Sequence, residues 1–271
     1  MAQEDYLYGD LTARECVEYS ALLRLPKTRT YKEKQNEVGR TIKELHLDHV
    51  AENITSSLSG GERKRVAIAM ELVSNPNVLA LDEPTSGLDS TASLNIMSVL
   101  SEVASKDRIV ILSIHQPSTR AFFKLDRILV LANGSPMFSG KPSKVRTFLN
   151  NCGFPHQDIP SPDHILDVIS EATNHGVIVR ERKRLGQKHV QLPAIEGSGQ
   201  PDQANNARGS ILNEVAVLFK RTAKVISRNR QLFLTQVTVS AVIACFTGAI
   251  FRGLSKDLAG FQNRLGVSNS L

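Results

Sequence analysis

Ser59-Gly60-Gly61-Glu62 sits inside SSLSGGERKRVAIAMELV (Ser56–Val73), a polar turn that runs straight into a helix-forming stretch. Ser and Glu at S-x-x-E spacing can form a capping box, each side chain bonding the other's backbone N–H. The two glycines add a second reading, because they let a backbone with exposed N–H groups approach a ligand closely. A helix start with a serine hydroxyl and bare amides attracts an anion such as phosphate. Both readings stay open on these residues alone. Asp82 and Glu83 end the apolar run NVLALDE (Asn77–Glu83). Adjacent carboxylates at a strand's carboxyl end stand where α/β sheets bind ligands. One suits Mg2+ and the next suits a general base for water; the plainer reading is a surface acidic pair. His115 ends the next apolar run, IVILSIH, and by itself reads as a polar strand cap. At the same sheet edge as Asp82 and Glu83 it becomes a candidate for chemistry.

The elements that must position these residues alternate along residues 1–175. Thr12 and Glu15 have capping-box spacing at the head of a helix that Pro26 stops. A second, polar helix is predicted at about 32–47 and another at about 90–105. Asn77–Glu83, Arg108–His115 and Asp126–Gly134 read as buried strands, the last closed by the turn pair Asn133-Gly134. Continuous apolar strands separated by helices imply a parallel sheet covered on both faces.

The chain has 271 residues, 41% of them hydrophobic, enough for one full domain and part of another. A net charge of +6 does not argue for nucleic acid, and none is expected as a partner; a basic chain touching a cytoplasmic membrane face has the same balance. Cys16, Cys152 and Cys245 are odd in number and far apart, which suggests reduced thiols facing the cytosol. The first thirty residues contain no apolar signal-peptide core.

Beyond about residue 176 the character changes. Residues 176–210 hold the charge run RERKRLGQKH and the Gly/Ser/Asn/Gln-rich AIEGSGQPDQANNARGS, and read as a flexible linker. Residues 211–231 carry Leu212, Val215, Leu218, Phe219, Val225 and Ile226 at helical spacing, with Lys220, Arg221, Lys224, Arg228 and Arg230 added. This is a basic amphipathic helix suited to a membrane surface. Leu232–Phe251 follows, twenty residues without a charge. At 1.5 Å per residue it would reach about 30 Å, the hydrocarbon thickness, so a transmembrane helix is expected, with a buried core helix as the other reading. Five Lys/Arg in 220–231 against three between the span and 264 put its amino-terminal side in the cytoplasm. Residues 252–271 would be a loop and the start of a second membrane segment.

LSGGERKR, LALDEPTSGLDS and SIHQPS, in this order and spacing, resemble the nucleotide-binding domain of an ATP-binding-cassette (ABC) transporter. GGERKR, HQP and the later FQNRLG (Phe261–Gly266) are similar to one branch, the G or White subfamily of half-transporters, in which the cassette precedes the membrane domain. The likeness covers most of residues 1–175 and, more weakly, 211–271. It implies an α/β fold: a partial ABC-type nucleotide-binding domain (parallel sheet plus helical subdomain) followed by a transmembrane α-helix. It implies ATP and Mg2+ as cofactors and an ATPase coupled to transport. The expected partners are a second half-transporter, identical or different, a lipid membrane and an unknown transported substrate.

Matching positions take the family's roles. Gln3 would be the Q-loop residue that senses Mg2+ and the membrane domain. Leu58, Ser59, Gly60, Gly61 and Glu62 would be the signature, which closes over ATP held by the opposite cassette. Asp82 would be the Walker-B magnesium residue and Glu83 the catalytic base. Ser86, Gly87, Leu88 and Asp89 would be the D-loop at the dimer seam, and His115 the switch histidine.

The sequence departs from the family in three places. No G-x-x-x-x-G-K-[ST] phosphate loop is present. The nearest stretch, GSPMFSGKPS (Gly134–Ser143), has five residues between its glycines and Pro142 where Ser or Thr is needed, and is rejected. The approach to the signature, VAENITSSLSGGE, is short for the branch, and the resemblance stops at the start of a second membrane helix. These departures lead to the expectation of a chain truncated at both ends. Three functions follow: a piece of an ATP-driven half-transporter, a non-catalytic truncated isoform or pseudogene product that pairs with an intact partner, or a soluble ABC ATPase. The expected location is a membrane, multi-pass in the intact protein, with the nucleotide-binding part cytoplasmic.

Overall fold

A computed structural model of the chain describes residues 7–132, 135–151, 153–154, 162, 165–168 and 211–251. The chain divides into two units, Met1–Glu214 and Val215–Leu271.

In the first unit three helices build one core. α1 (Ala13–Arg24) and α2 (Tyr31–Glu44) each start on a complete capping box, Thr12/Glu15 and Thr30/Glu33. α1 ends at Leu25, one residue before Pro26. The Lys34 ammonium covers that end, donating to the Leu25 carbonyl at 3.1 Å, and its burial lowers the lysine pKa. α3 (Gly60–Leu72) packs against both. Val17, Val38, Ile42, Leu45, Ile68 and Leu72 are almost wholly removed from water; each buried aliphatic side chain contributes about 1.5–3 kcal/mol.

β1 (Val78–Leu81) and β2 (Ile109–Leu112) pair in parallel, Leu81 opposite Leu112, with α4 (Ser90–Ala104) as the crossover. After the short α5 (Thr119–Phe122), β3 (Ile128–Ala132) and β4 (Ser135–Gly140) form an antiparallel ladder. α6 (Val145–Asn151) follows and shares a second core with that ladder, in which the Phe138 and Phe148 rings meet at a tilt of 51° with their centres 5.2 Å apart.

Two sequence expectations are corrected here. Among the described residues the third strand pairs antiparallel with β4 and not with the parallel pair β1 and β2. The parallel sheet is not covered on both faces: Leu79 and Leu81 are buried, whereas Val78, Ile109 and Ile111 are more than half exposed. The rejected phosphate-loop stretch is strand and turn, since Ser135–Gly140 is β4 itself.

The second unit contains most of α7 (Ile211–Arg228) and α8 (Arg230–Phe251). Leu232–Phe251 is helical as expected, but the transmembrane reading is not supported. Among the described residues no helix is long and apolar enough to cross a membrane. The linker at 176–210 and residues 252–271 lie outside the described residues.

Candidate functional site

The signature stretch is fixed from behind. The backbone N–H groups of Ala13 and Arg14 donate to the Asn53 and Ala51 carbonyls, and that of Thr55 to the Leu11 carbonyl at 2.8 Å. The Thr55 hydroxyl, buried, donates to the Tyr8 carbonyl at 2.7 Å. Short as it is, the approach to the signature is thus bonded to the head of α1. Leu58 is buried and Ser59 becomes the N-cap of α3.

The capping box forms in full. The Ser59 hydroxyl donates to Glu62 Oε2 at 2.6 Å, and the Ser59 N–H donates to the same oxygen at 2.9 Å. The Ser59 hydroxyl also accepts from the Glu62 N–H at 3.4 Å. Together with His49, whose Nε2 stands 3.2 Å from Glu62 Oε1, these bonds hold the Glu62 carboxyl below the usual carboxylate range; the Ser59 hydroxyl is the largest cause. A carboxylate therefore already occupies the serine at the helix start, and an external anion there must displace or share it.

The other wall of this cleft comes from the turn before α4. Gly87 takes a left-handed backbone (φ 73°), which favours glycine, and Asp89 caps α4 by accepting from the Ala92 N–H at 2.7 Å. Ser59, Gly60, Gly61 and Glu62 face Gly87, Leu88 and Asp89 across a cavity of about 350 Å³. Arg65 and Asn95 also line it, and the buried Arg65 Nε has no hydrogen-bond partner among the described residues. The fit between the walls is close: a Cβ on Gly60 would meet Leu88 Cδ2 at 3.1 Å, and one on Gly61 would meet Ala92 Cβ at 3.3 Å.

Asp82, Glu83 and His115 are not part of that cavity's lining. They lie past the carboxyl ends of the paired strands β1 and β2. Ser113, one residue beyond β2, ties that edge together. Its hydroxyl donates to Asp82 Oδ1 in a very short bond and accepts from the Glu83 N–H at 2.9 Å. Glu83 and Gln116 both have positive φ, 44° and 47°. Such backbone strain in non-glycine residues is concentrated at functional positions.

Ser113 was not singled out from the sequence. The strand register would have found it, since Leu81 opposite Leu112 makes Ser113 the neighbour of Asp82. No local pattern announces His49, thirteen residues before Glu62. Gln3 lies outside the described residues. Ser86 donates its N–H to the Glu83 carbonyl at 3.1 Å, closing the turn that leads to Gly87.

Mg2+ is normally held by one or two carboxylates plus phosphate oxygens and water. The exposed Asp82, at a strand end with a hydroxyl beside it, fits one such ligand. Among the described residues no group of three or more His, Cys, Asp or Glu could hold a metal by itself.

The ABC transporter family profile matches residues 1–86. The chain is 32% identical over 98% of its length to "Broad substrate specificity ATP-binding cassette transporter ABCG2" of Sus scrofa, covering 47% of that protein. It is 34% identical over 98% of its length to "ABC transporter G family member 4" of Arabidopsis thaliana, covering 45% of it. The chain belongs to the G subfamily of ABC transporters. A further G-family relative, member 22 of Dictyostelium discoideum, is 32% identical over 98% of the chain and 47% of its own length. The chain thus spans just under half the length of the curated G-subfamily relatives it matches. A solved structure titled "Structure of cbiO1 from clostridium perfringens: Part of the ABC transporter complex cbiONQ" aligns at 30% identity and a TM-score of 0.45, covering 50% of this chain and 53% of that one.

Proposed function

We propose that this chain serves a half-transporter of the ABC G subfamily, in which ATP binding and hydrolysis by two cassettes drive a substrate across a membrane. One observation carries this reading. The signature serine caps α3 at the mouth of a cleft whose other wall is the Gly87–Asp89 turn, while Asp82 and Glu83 stand outside that cleft at the edge of β1. One chain therefore presents two separate half-sites, and a second cassette is what would bring complementary halves together.

In this reading ATP supplies the bond that is broken, and Mg2+ neutralises charge on its phosphates. The chain's residues do the positioning. Ser59 and the first-turn amides of α3 offer donors to an anion. Glu62 moves off the Ser59 hydroxyl when that anion arrives. Asp82 is the carboxylate for Mg2+, oriented by Ser113. Glu83 accepts a proton from water, and His115 stands at the same edge. Ser86, Gly87, Leu88 and Asp89 reach toward the opposite cassette, and Gln3 couples the site to the membrane part. α8 is the segment that enters the bilayer in the intact protein. What supports this is its freedom from charge after Arg230, its exposed apolar side chains such as Val242 and Phe246, and the return of the Thr238 and Thr247 hydroxyls to their own helix's carbonyls.

A second reading is favoured by one observation: Asp82 and Glu83 take no part in the cleft that the signature residues line. The chain would then lend its signature to a partner's nucleotide without hydrolysing any itself. Magnesium-dependent ATP hydrolysis, measured in lipid for the chain alone and paired with an intact G-subfamily half-transporter, separates the two. Turnover that Glu83→Gln abolishes supports the first reading. Paired turnover that ignores Glu83→Gln but is lost in Ser59→Arg supports the second. No change in the partner's turnover under any variant refutes both. Retention of the chain in carbonate-washed membranes tests the bilayer assignment separately and would exclude a soluble ATPase.

A further inference from the structure

We propose that Arg65 is a positioning residue that receives the Glu62 carboxylate when an anion takes Ser59, an inference that rests on the half-site reading above. The resting contacts define the problem. Glu62 Oε2 accepts from both the hydroxyl and the N–H of Ser59, at 2.6 and 2.9 Å, while Oε1 stands 3.2 Å from His49 Nε2. An anion that claims the serine evicts Oε2, whereas Oε1 already has its neighbour. The evicted oxygen then lacks a donor and faces a second negative charge, and both effects oppose docking. A cation within its reach offsets both.

Arg65 is that cation. Residues three apart on a helix share a face, with Cβ atoms about 5–6 Å apart, whereas those one or two apart do not. Arg65 stands three residues after Glu62 in α3, while Arg63 and Lys64 stand one and two residues after it. Of these three cations, only Arg65 lines the cavity that Glu62 also lines; Arg63 is exposed elsewhere and Lys64 is buried. Arg65 Nε is itself buried and has no hydrogen-bond partner among the described residues. A buried donor left unpaired is uncommon in folded proteins and calls for a reason. An acceptor that arrives in another state of the site supplies one. The room exists, since Glu62 and Arg65 face the Gly87–Asp89 turn across a cavity of about 350 Å³. A guanidinium can hold a carboxylate through two parallel N–H donors, so it would fix Glu62 in its displaced position as well as attract it.

A double-mutant cycle on partner-dependent ATP hydrolysis tests this, with the full chain paired in lipid with an intact G-subfamily half-transporter. Arg65→Met keeps the stem and removes the donors. It should raise the KM for ATP about tenfold, the loss of one charge-assisted hydrogen bond, with kcat nearly unchanged. Arg65→Lys keeps the charge without the fork and should recover part of that loss. In a Glu62→Gln background no charge needs a seat, and Arg65→Met should change KM by less than about twofold. An equal rise in both backgrounds would overturn the proposal, because Arg65 would then be attracting the nucleotide directly. Coupling of Arg65 to Asp89→Asn in place of Glu62→Gln would also overturn it, since Asp89 lines the same cavity. Thermal melts of the chain without nucleotide give an independent readout. With Nε unpartnered at rest, Arg65→Met should not lower the melting temperature; a clear drop would reveal a structural partner already in place. Ser59→Arg keeps the two claims apart. If it leaves paired turnover intact, the half-site reading fails and this proposal falls with it. If it abolishes turnover while the Arg65 and Glu62 effects simply add, only this proposal fails.

Discussion

The ion-pair network around Glu44 joins the helical part that carries the signature to the strands that carry Asp82 and Ser113. Its removal has a calculable consequence. The Glu44 side chain is 3% exposed and that of Arg108 is 7% exposed, with Arg108 Nη1 2.5 Å from Glu44 Oε1. Lys106 and Arg40 approach the same carboxylate at 3.4 and 3.5 Å, but their side chains are 56% and 42% exposed. The exposed pairs contribute at most about 1 kcal/mol each; the buried pair dominates. The network also reaches the turn between α3 and β1, where Arg108 Nη2 donates to Asn75 Oδ1 at 2.7 Å.

Glu44→Gln preserves the shape and removes the charge, leaving the Arg108 guanidinium buried between two other cations. Breaking a buried pair from one side costs about 3–5 kcal/mol. The retained amide oxygen keeps one acceptor, so the lower end, about 3 kcal/mol, is expected in urea unfolding followed by far-UV circular dichroism. Glu44→Leu with Arg108→Met removes both charges and should recover most of the loss. The pH dependence has a definite sign. Burial pushes the Glu44 carboxyl up, while Arg108 and then Lys106 pull it down, with a net lowering. A lowered carboxyl stabilises above its unfolded pKa, about 4.3, and loses that contribution as pH falls through its folded value. The difference between wild type and Glu44→Gln should therefore be full at neutral pH and shrink below about pH 4. A cost under about 1 kcal/mol at pH 7, or no recovery in the double variant, would refute the account of a desolvated pair tying the two parts together.

Other outcomes follow from the site. Ser59→Ala removes the cap of α3 and should cost about 1 kcal/mol, and the part of it due to the Glu62 carboxylate should fade below about pH 4 because that carboxyl is also lowered; an unchanged acid limb in a pH series of melts would contradict this. Gly61→Ala should perturb the cleft more than Gly60→Ala, since the new Cβ meets the rigid Cβ of Ala92 at 3.3 Å rather than the mobile end of Leu88 at 3.1 Å; paired thermal melts with partner-stimulated ATP hydrolysis decide it. Glu83→Gly should hold or raise stability by up to about 1 kcal/mol by relieving the positive φ, while ending any turnover the chain supports. A clear drop in melting temperature would show that the backbone there is unstrained.

The helical part was legible because its rules are local. Thr12 with Glu15 and Ser59 with Glu62 announce capping boxes at a spacing of three, and the structure forms both. Strand existence was equally legible, since apolar runs between prolines and helices have few alternatives. Strand pairing was not. Asp126–Gly134 has the same apolar character as its predecessors, and nothing within it says that its partner is Ser135–Gly140 rather than β2. The sheet's second face misled for a related reason. Val78, Ile109 and Ile111 are apolar, as strands buried on both faces are, yet they stand exposed. Composition records what a surface suits, and what covers it depends on atoms elsewhere.

The same distinction governs the site. Sequence alone left Ser59 divided between capping a helix and holding a phosphate. The geometry shows that these uses compete for one hydroxyl, because its proton is given to Glu62 Oε2 at 2.6 Å. The cap of which that bond is part contributes about 1 kcal/mol, a cost that an incoming anion must meet before it gains anything from Ser59. The displaced carboxylate is not left unpaired, since His49 Nε2 already stands 3.2 Å from its other oxygen. Glu62→Gln removes the negative charge beside the anion while keeping an acceptor for the hydroxyl. It should therefore tighten the partner-dependent response to ATP, and His49→Ala should weaken it. If both substitutions shift that response in the same direction, Glu62 is a structural cap, and the competition between cap and ligand plays no part in the site.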